Sequence, residues 1–375
     1  MISRARVRGS KLRAASGSAW MVARRGGVMN RGRRSIGALG AVSVLALSLS
    51  ACGAKAASQS AAQVTLTLYN GQHVQTTDSL VTGFEAGHPD IKVVVRNNDE
   101  DTFDAEIVAE GSRSPADLFY TENSPALEFL QQKGLLAKVD SSTLAKTPSK
   151  YNSSQADWLG VSARVSVLIY NPAHITKAEL PTSVLQLANP KYKGKLAFAQ
   201  GETDFQPIVT SVLNAYGKAK TLAWLDGMKA NAAGHIYPDN ETISDEVNRG
   251  VVAFGVVNQY YWYRMRAEIG VSNTHSAIAY FARRDPGYVV DVSGAGILKS
   301  SKHQVAAQAF LAFLVSAKGQ EIIAHSISFE YPIASAVVTS QPETAFTDLQ
   351  PYPLTIAQLG TGAAAIALLQ EVQLL

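Results

Sequence analysis

Apolar and polar positions alternate with two distinct periods along most of this chain. Val64-Thr65-Leu66-Thr67-Leu68-Tyr69 alternates every second residue, the pattern of a strand with one covered face. Residues 76–85 then follow helical spacing, 91–95 read as a strand, 103–111 as a helix, 116–119 as a short strand, and 125–133 as a helix. Strands that alternate with helices predict an α/β fold with parallel sheet members. Further on, residues 164–170 (RVSVLIY), 196–199 and 251–257 (VVAFGVV) are apolar strands. The last is apolar throughout, as expected of a strand covered on both faces. Residues 207–216 and 218–230 read as helices. Residues 288–297 (YVVDVSGAGI) read as a strand running into a glycine-bearing turn, and 303–323 as one long helix.

The N-terminal stretch has neither period. Residues 1–51 hold ten of the 34 Lys and Arg and none of the 30 Asp and Glu, so the rest of the chain has 34 − 10 = 24 basic residues against 30 acidic ones, a balance of −6. The formal charge of +4 therefore resides on a leader. A nucleic-acid partner, which needs positive charge on the folded body, is not expected. Residues 36–51 form an apolar run, too short for the ~20 residues of a comfortable membrane span. A basic stretch, an apolar stretch and small residues predict an export signal over 1–51. Leu49-Ser50-Ala51-Cys52 resembles a bacterial lipobox, with the single cysteine of the chain as the acylated residue. Residues 52–63 would then be a flexible tether, and the mature protein would be exported and held on the outer side of the cytoplasmic membrane by lipid at Cys52. One cysteine excludes an intramolecular disulfide framework. With 375 residues, 46% of them hydrophobic, the chain can bury a core for two lobes. No sign of oligomerisation is present, so a monomer is expected.

Ligands of open α/β sheets bind beyond the carboxyl ends of the strands. Three polar clusters fall there: Asn70-Gly71-Gln72-His73, Thr121-Glu122-Asn123 and Asn258-Gln259-Tyr260-Tyr261. Taken singly, each has an ordinary reading as a loop histidine, a helix-starting carboxylate and packing tyrosines. Their shared position favours one joint site. Neighbouring residues of a strand point to opposite faces, so Tyr260 and Tyr261 converge only if the strand has ended at Asn258 and a helix begins. Two phenolates and a carboxylate supply three negative charges, and hard oxygen donors with an imidazole suit a trivalent cation such as Fe³⁺ better than Mg²⁺, Ca²⁺ or Zn²⁺.

The motifs YNGQH (69–73), PADLFYTEN (115–123), RVSVLIYN (164–171), NQYYWYRM (258–265) and DVSGAGILK (291–299) make the chain similar to the periplasmic ferric-ion-binding proteins of bacterial ABC importers. The resemblance implies a two-lobed class II binding-protein fold, hinged at two crossover strands near 164–170 and 288–293. The lobes would comprise residues 64–165 with 290–340 (N-terminal) and 166–289 with 341–375 (C-terminal). It implies Fe³⁺ as transported ligand on His73, Glu122, Tyr260 and Tyr261, a membrane permease as partner, and no enzymatic activity. Asn240 and Asn258 match family asparagines that help to hold an accompanying anion. Where phosphate-using members have a Ser-Gly-Ala turn, this chain has Gly201-Glu202-Thr203-Asp204. Backbone N–H groups there favour an anion, while Glu202 and Asp204 oppose it. Water, carbonate, a chelator group or these carboxylates could complete the coordination. Arg164 is a further candidate behind the site, with an ordinary salt bridge as its simpler role. The competing reading is a receptor for an organic cation such as a polyamine or thiamine, boxed by Tyr260, Tyr261, Trp262 and Tyr263. A secreted enzyme is disfavoured by the lack of GxSxG, HExxH and P-loop motifs.

Overall fold

The computed structural model describes residues 63–334, 337 and 344–375. The expected signal at 1–51, Cys52 and all of the expected tether except Gln63 lie outside the described residues. The described residues belong to one compact unit that runs to Leu375.

The strands are β1 (Val64–Gly71), β2 (Ile91–Asn97), β3 (Leu118–Thr121), β4 (Trp158–Tyr170), β5 (Leu196–Ala197), β6 (Phe254–Asn258), β7 (Ala277–Ala279), β8 (Val290–Ile297) and β9 (Tyr331–Pro332). They run in the order β2-β1-β3-β8-β4-β6-β5, with β7 and β9 also pairing with β4. β1 is parallel to β2 and β3, and β5 is parallel to β6. The pairs β3–β8, β4–β8 and β4–β6 are antiparallel. The thirteen residues of β4, all buried, serve two sheet regions. Trp158 to Val165 pairs with β8, and Ser166 to Tyr170 pairs with β6. This is the two-lobed α/β fold expected from the sequence, with β4 and β8 at its centre.

Helices cover both faces. Leu66 and Leu68 of β1 pack with Phe84 of the helix Val74–Gly87 and Phe310 of the helix Gln304–Leu314 in one core cluster. A second cluster takes in Val165, Leu168, Phe254, Trp224 and the tyrosine-bearing start of the helix Gln259–Ile269. No helix among the described residues is long and apolar enough to cross a membrane.

Two expectations are corrected. Gly294 and Gly296 lie within β8, not in a turn. A Cβ at Gly294 would meet Leu127 Cδ1 at 2.7 Å and Leu159 O at 2.9 Å, so glycine here permits close packing of the sheet. The helix expected over 303–323 is two helices, Gln304–Leu314 and Ala317–Ala324. Ser316 caps the second by accepting a hydrogen bond from Gly319 N at 3.1 Å. A side chain at Gly319 would collide with the carbonyls of Phe313 and Leu314. Helical periodicity continued across this junction, but the serine offered the backbone a local alternative.

Candidate functional site

The three polar clusters meet. β1 ends at Gly71, where a Cβ would stand 2.9 Å from Glu100 Cβ, and His73 follows as the residue that opens the helix Val74–Gly87. β3 ends at Thr121, so Glu122 lies immediately beyond it, before the helix Ser124–Gln132. β6 ends at Asn258, and Gln259–Ile269 is a helix from its next residue. The strand thus stops where the sequence required it to. Tyr260 and Tyr261 turn to the same side, their ring centroids 4.1 Å apart and their planes inclined by 30°.

His73 Nδ1 is 2.8 Å from Glu122 Oε1. The Tyr260 hydroxyl donates to Asp204 Oδ2 at 3.2 Å and reaches Glu122 Oε2 at 3.5 Å, and the His73 and Tyr260 rings are 5.1 Å apart. Asn240 Nδ2 reaches Asp204 Oδ2 at 3.4 Å from the first residue of the helix Asn240–Asn248. Three buried polar atoms here, His73 Nε2, Asp204 Oδ1 and Asn258 Nδ2, have no hydrogen-bond partner among the described residues. Buried polar atoms normally find partners, so this concentration calls for a ligand. Beside the cluster is a cavity of about 720 Å³, lined by His73, Glu122, Glu202 and Thr203 together with Glu100 and Asp101.

The electrostatics favour a cation. Burial pushes the Glu122 carboxyl up, but the charge and hydrogen bond of His73, with Arg164 and Arg264, outweigh it and leave it at about 2. Burial pushes His73 down, and Glu122, with a smaller contribution from Glu330, more than reverses this. Burial raises Asp204 against the pull of Arg164. Burial and then Asp204 raise Glu202 to about 8. Tyr260 and Tyr261 stand well above the usual phenol range, first from burial and then from the charges of Asp204 and Glu122. The site is thus rich in oxygen donors whose ionisation waits on added positive charge.

The other candidates sit around this centre. Arg164, fully buried, is ion-paired with Glu330, and donates to Glu122 O, to Asn123 Oδ1 at 2.9 Å and to Ser293 Oγ at 2.8 Å. Its ion pair is the simpler role that the sequence allowed. Thr203 accepts from Asn123 Nδ2 at 2.9 Å. Trp262 and Tyr263 do not complete a four-ring box with Tyr260 and Tyr261. The Trp262 indole donates to Ser276 O at 3.2 Å, and the Tyr263 ring stacks on Phe329. Glu330 and Gln72 were missed by sequence reasoning. Gln72 lay unremarked inside a motif, and Glu330 carries no local signal because its partners are up to 258 positions away.

Among the described residues, no three His, Cys, Asp or Glu side chains form a ready metal group. The phenols are therefore needed if the cluster is to hold an ion. The model of the bacterial extracellular solute-binding protein family matches residues 70–321. The Fe(3+)-binding periplasmic protein of Serratia marcescens is 39% identical over 327 residues, covering 87% of this chain and 95% of that protein. The major ferric iron-binding protein of Neisseria meningitidis is 35% identical over 277 residues, covering 73% and 82%. Iron-bound HitA from Pseudomonas aeruginosa superposes with a TM-score of 0.78 at 39% identity, over 82% of this chain and 99% of HitA.

Proposed function

Since this chain belongs to the bacterial extracellular solute-binding proteins, a family of transport receptors and not of enzymes, we propose that it captures ferric iron outside the cytoplasmic membrane and delivers it to an ABC permease. The observation that carries this reading is the meeting of His73, Glu122, Asp204, Tyr260 and Tyr261, drawn from segments up to 261 − 73 = 188 positions apart, around buried polar atoms that have no partner among the described residues. The names of the relatives agree with it.

Magnitudes select the ion. Ionising an ordinary phenol at neutral pH costs about 4 kcal/mol, and burial adds to this. A unit positive charge at about 4 Å returns about 4 kcal/mol at an effective dielectric of 20, so a trivalent ion returns about 12 kcal/mol per phenolate. A divalent ion returns about 8 kcal/mol, which leaves little surplus once the donors are desolvated. Fe³⁺ meets the demand on His73, Glu122, Tyr260 and Tyr261. Asp204, whose Oδ1 is unpartnered among the described residues, completes the coordination in this reading. Once the bound cation has ionised Asp204 and Glu202 beside it, this wall repels phosphate, and Thr203, Asn240 and Asn258 frame it. Lobes of 64–165 with 290–340 and of 166–289 with 341–375 would close over the ion, which stabilises the closed form by its differential affinity. Lipid on Cys52 would keep the receptor beside its permease.

The test is a titration with ferric citrate followed by visible absorption. The native protein should develop a tyrosinate-to-iron band. Y260F/Y261F should remain colourless and lose far more than the ~10–100-fold that an outer partner of a metal ligand costs. A double variant that keeps both colour and affinity would sink the assignment.

A further inference from the structure

Behind the ligand cluster, the dipeptide Phe329-Glu330 is linked through neighbouring polar side chains to the segments that present His73, Glu122 and Tyr260. Glu330, with 1% exposure, is ion-paired with Arg164, which donates to Glu122 O and stands 4.0 Å from Glu122 Oε2. Glu330 also accepts from Gln72 Nε2 at 3.2 Å and from Ser162 Oγ at 2.5 Å. Gln72 directly precedes His73, and its Oε1 accepts from His73 N at 2.7 Å. On the other side, Phe329 O accepts from Gln259 Nε2 at 3.1 Å, and Gln259 directly precedes Tyr260. Gln259 Oε1 accepts in turn from Val165 N at 2.7 Å, on β4.

Phe329 holds this place at φ +53°, in the left-handed region that bulky L-residues rarely adopt. Such a conformation persists where the surroundings over-determine it, and it is a pointer to function. Here the surroundings are the hydrogen bonds just described and the stacking of Phe329 on Tyr263. Arg164 and Ser162 lie on β4, and β9, which begins at Tyr331, pairs with β4 through Ala163 and Ser162.

We propose that Glu330 is a positioning residue of the site: through Arg164 and Gln72 it fixes the Glu122 and His73 that face the ligand, while its neighbour Phe329 fixes the helix that carries Tyr260. The ligand's being ferric iron rests on the reading given above, but the positioning role itself does not. Glu330 also occupies Arg164. Without that carboxylate the guanidinium charge would turn wholly on Glu122 and compete with a bound cation.

The experiment compares the native chain with E330Q, E330D and Q72L. It measures ferric-iron affinity by competition with citrate, and the His73 ring signals by nitrogen NMR without metal. E330Q should lose ~10–100-fold in affinity and shift the His73 signals. E330D should recover part of both, which a merely structural loss would not predict. Q72L should shift the His73 signals with a smaller loss of affinity, and it carries the test alone if E330Q does not fold. If the native chain takes up no ferric iron yet its His73 signals move in E330Q and Q72L, the positioning role stands and the cargo assignment falls. Native affinity together with unmoved His73 signals in both variants overturns the proposal.

Discussion

Tyr260 and Tyr261 decide how a cation would be held and let go. Both phenols are protonated without it, because burial and the carboxylates of Asp204 and Glu122 oppose their ionisation. Glu122, by contrast, is already a carboxylate down to about pH 2. Binding should therefore expel the two phenolic protons, and acid should reverse it at the tyrosines before Glu122 responds. The expected outcome is that the logarithm of iron affinity rises with pH at a slope of at least about 2 near neutrality, since protons held by His73 and Asp204 add to the two phenolic ones, and that the slope is lower by about 1 in Y261F. Competition titrations at stepped pH measure it, and a slope near zero in the native protein would exclude phenolate ligation. The pair was legible in the sequence because Asn258 breaks the apolar run 251–257. Glu330 was not, since an isolated glutamate ahead of a tyrosine and a proline reads as surface until the fold closes it against Arg164.

Among the elements, β1, β2 and the helices that follow them lie close to where periodicity places them, because each has one covered face and one polar face. The boundaries that moved did so for tertiary reasons. β3 begins at Leu118 instead of residue 116 and so delivers Glu122 directly beyond its end. β4 begins at Trp158, six residues before the apolar run that revealed it, because β8 supplies a partner that local sequence does not show. Gly160 lies where the pairing of β4 with β8 shifts register. A Cβ there would strike the Tyr151 carbonyl and stand 2.8 Å from Val292 Cγ1. G160A should lower stability by roughly 1–3 kcal/mol, the usual range for overpacking a filled interior. Urea unfolding should show a lower midpoint at an unchanged slope. An unaltered midpoint would mean that the bulge relaxes at no cost.

The molecule as a whole carries several buried acids held above their ordinary range. Burial raises Glu100 to about 8 and Asp291 to about 6, and Glu202 stands at about 8. Such groups keep protons in the folded state that the unfolded chain has already released, so stability falls as pH rises from about 4.5 towards 8. His73, raised by Glu122, acts in the same direction, its contribution being lost above the ordinary histidine range. Glu122 opposes them only at low pH, where its contribution disappears between about 4.5 and 2. The cation-free protein should therefore melt at a higher temperature near pH 5 than at pH 8, and E100Q should flatten that dependence. Scanning calorimetry across this range is the check, and a native profile that rises towards pH 8 would contradict the assignment of these groups.

β4 is bordered by neighbours along its whole length: β8 and β9 on its first part, β6 and β7 on its last. Its backbone is held by strands of both sheet regions, on two sides at Ser162–Ala163 and at Leu168–Tyr170, so local fraying would free few of its amides. In deuterated water its amides should be among the last protons of the chain to exchange. In the proposed opening and closing of the lobes, β4 would flex without detaching, which leaves it as the kinetic memory of the native state.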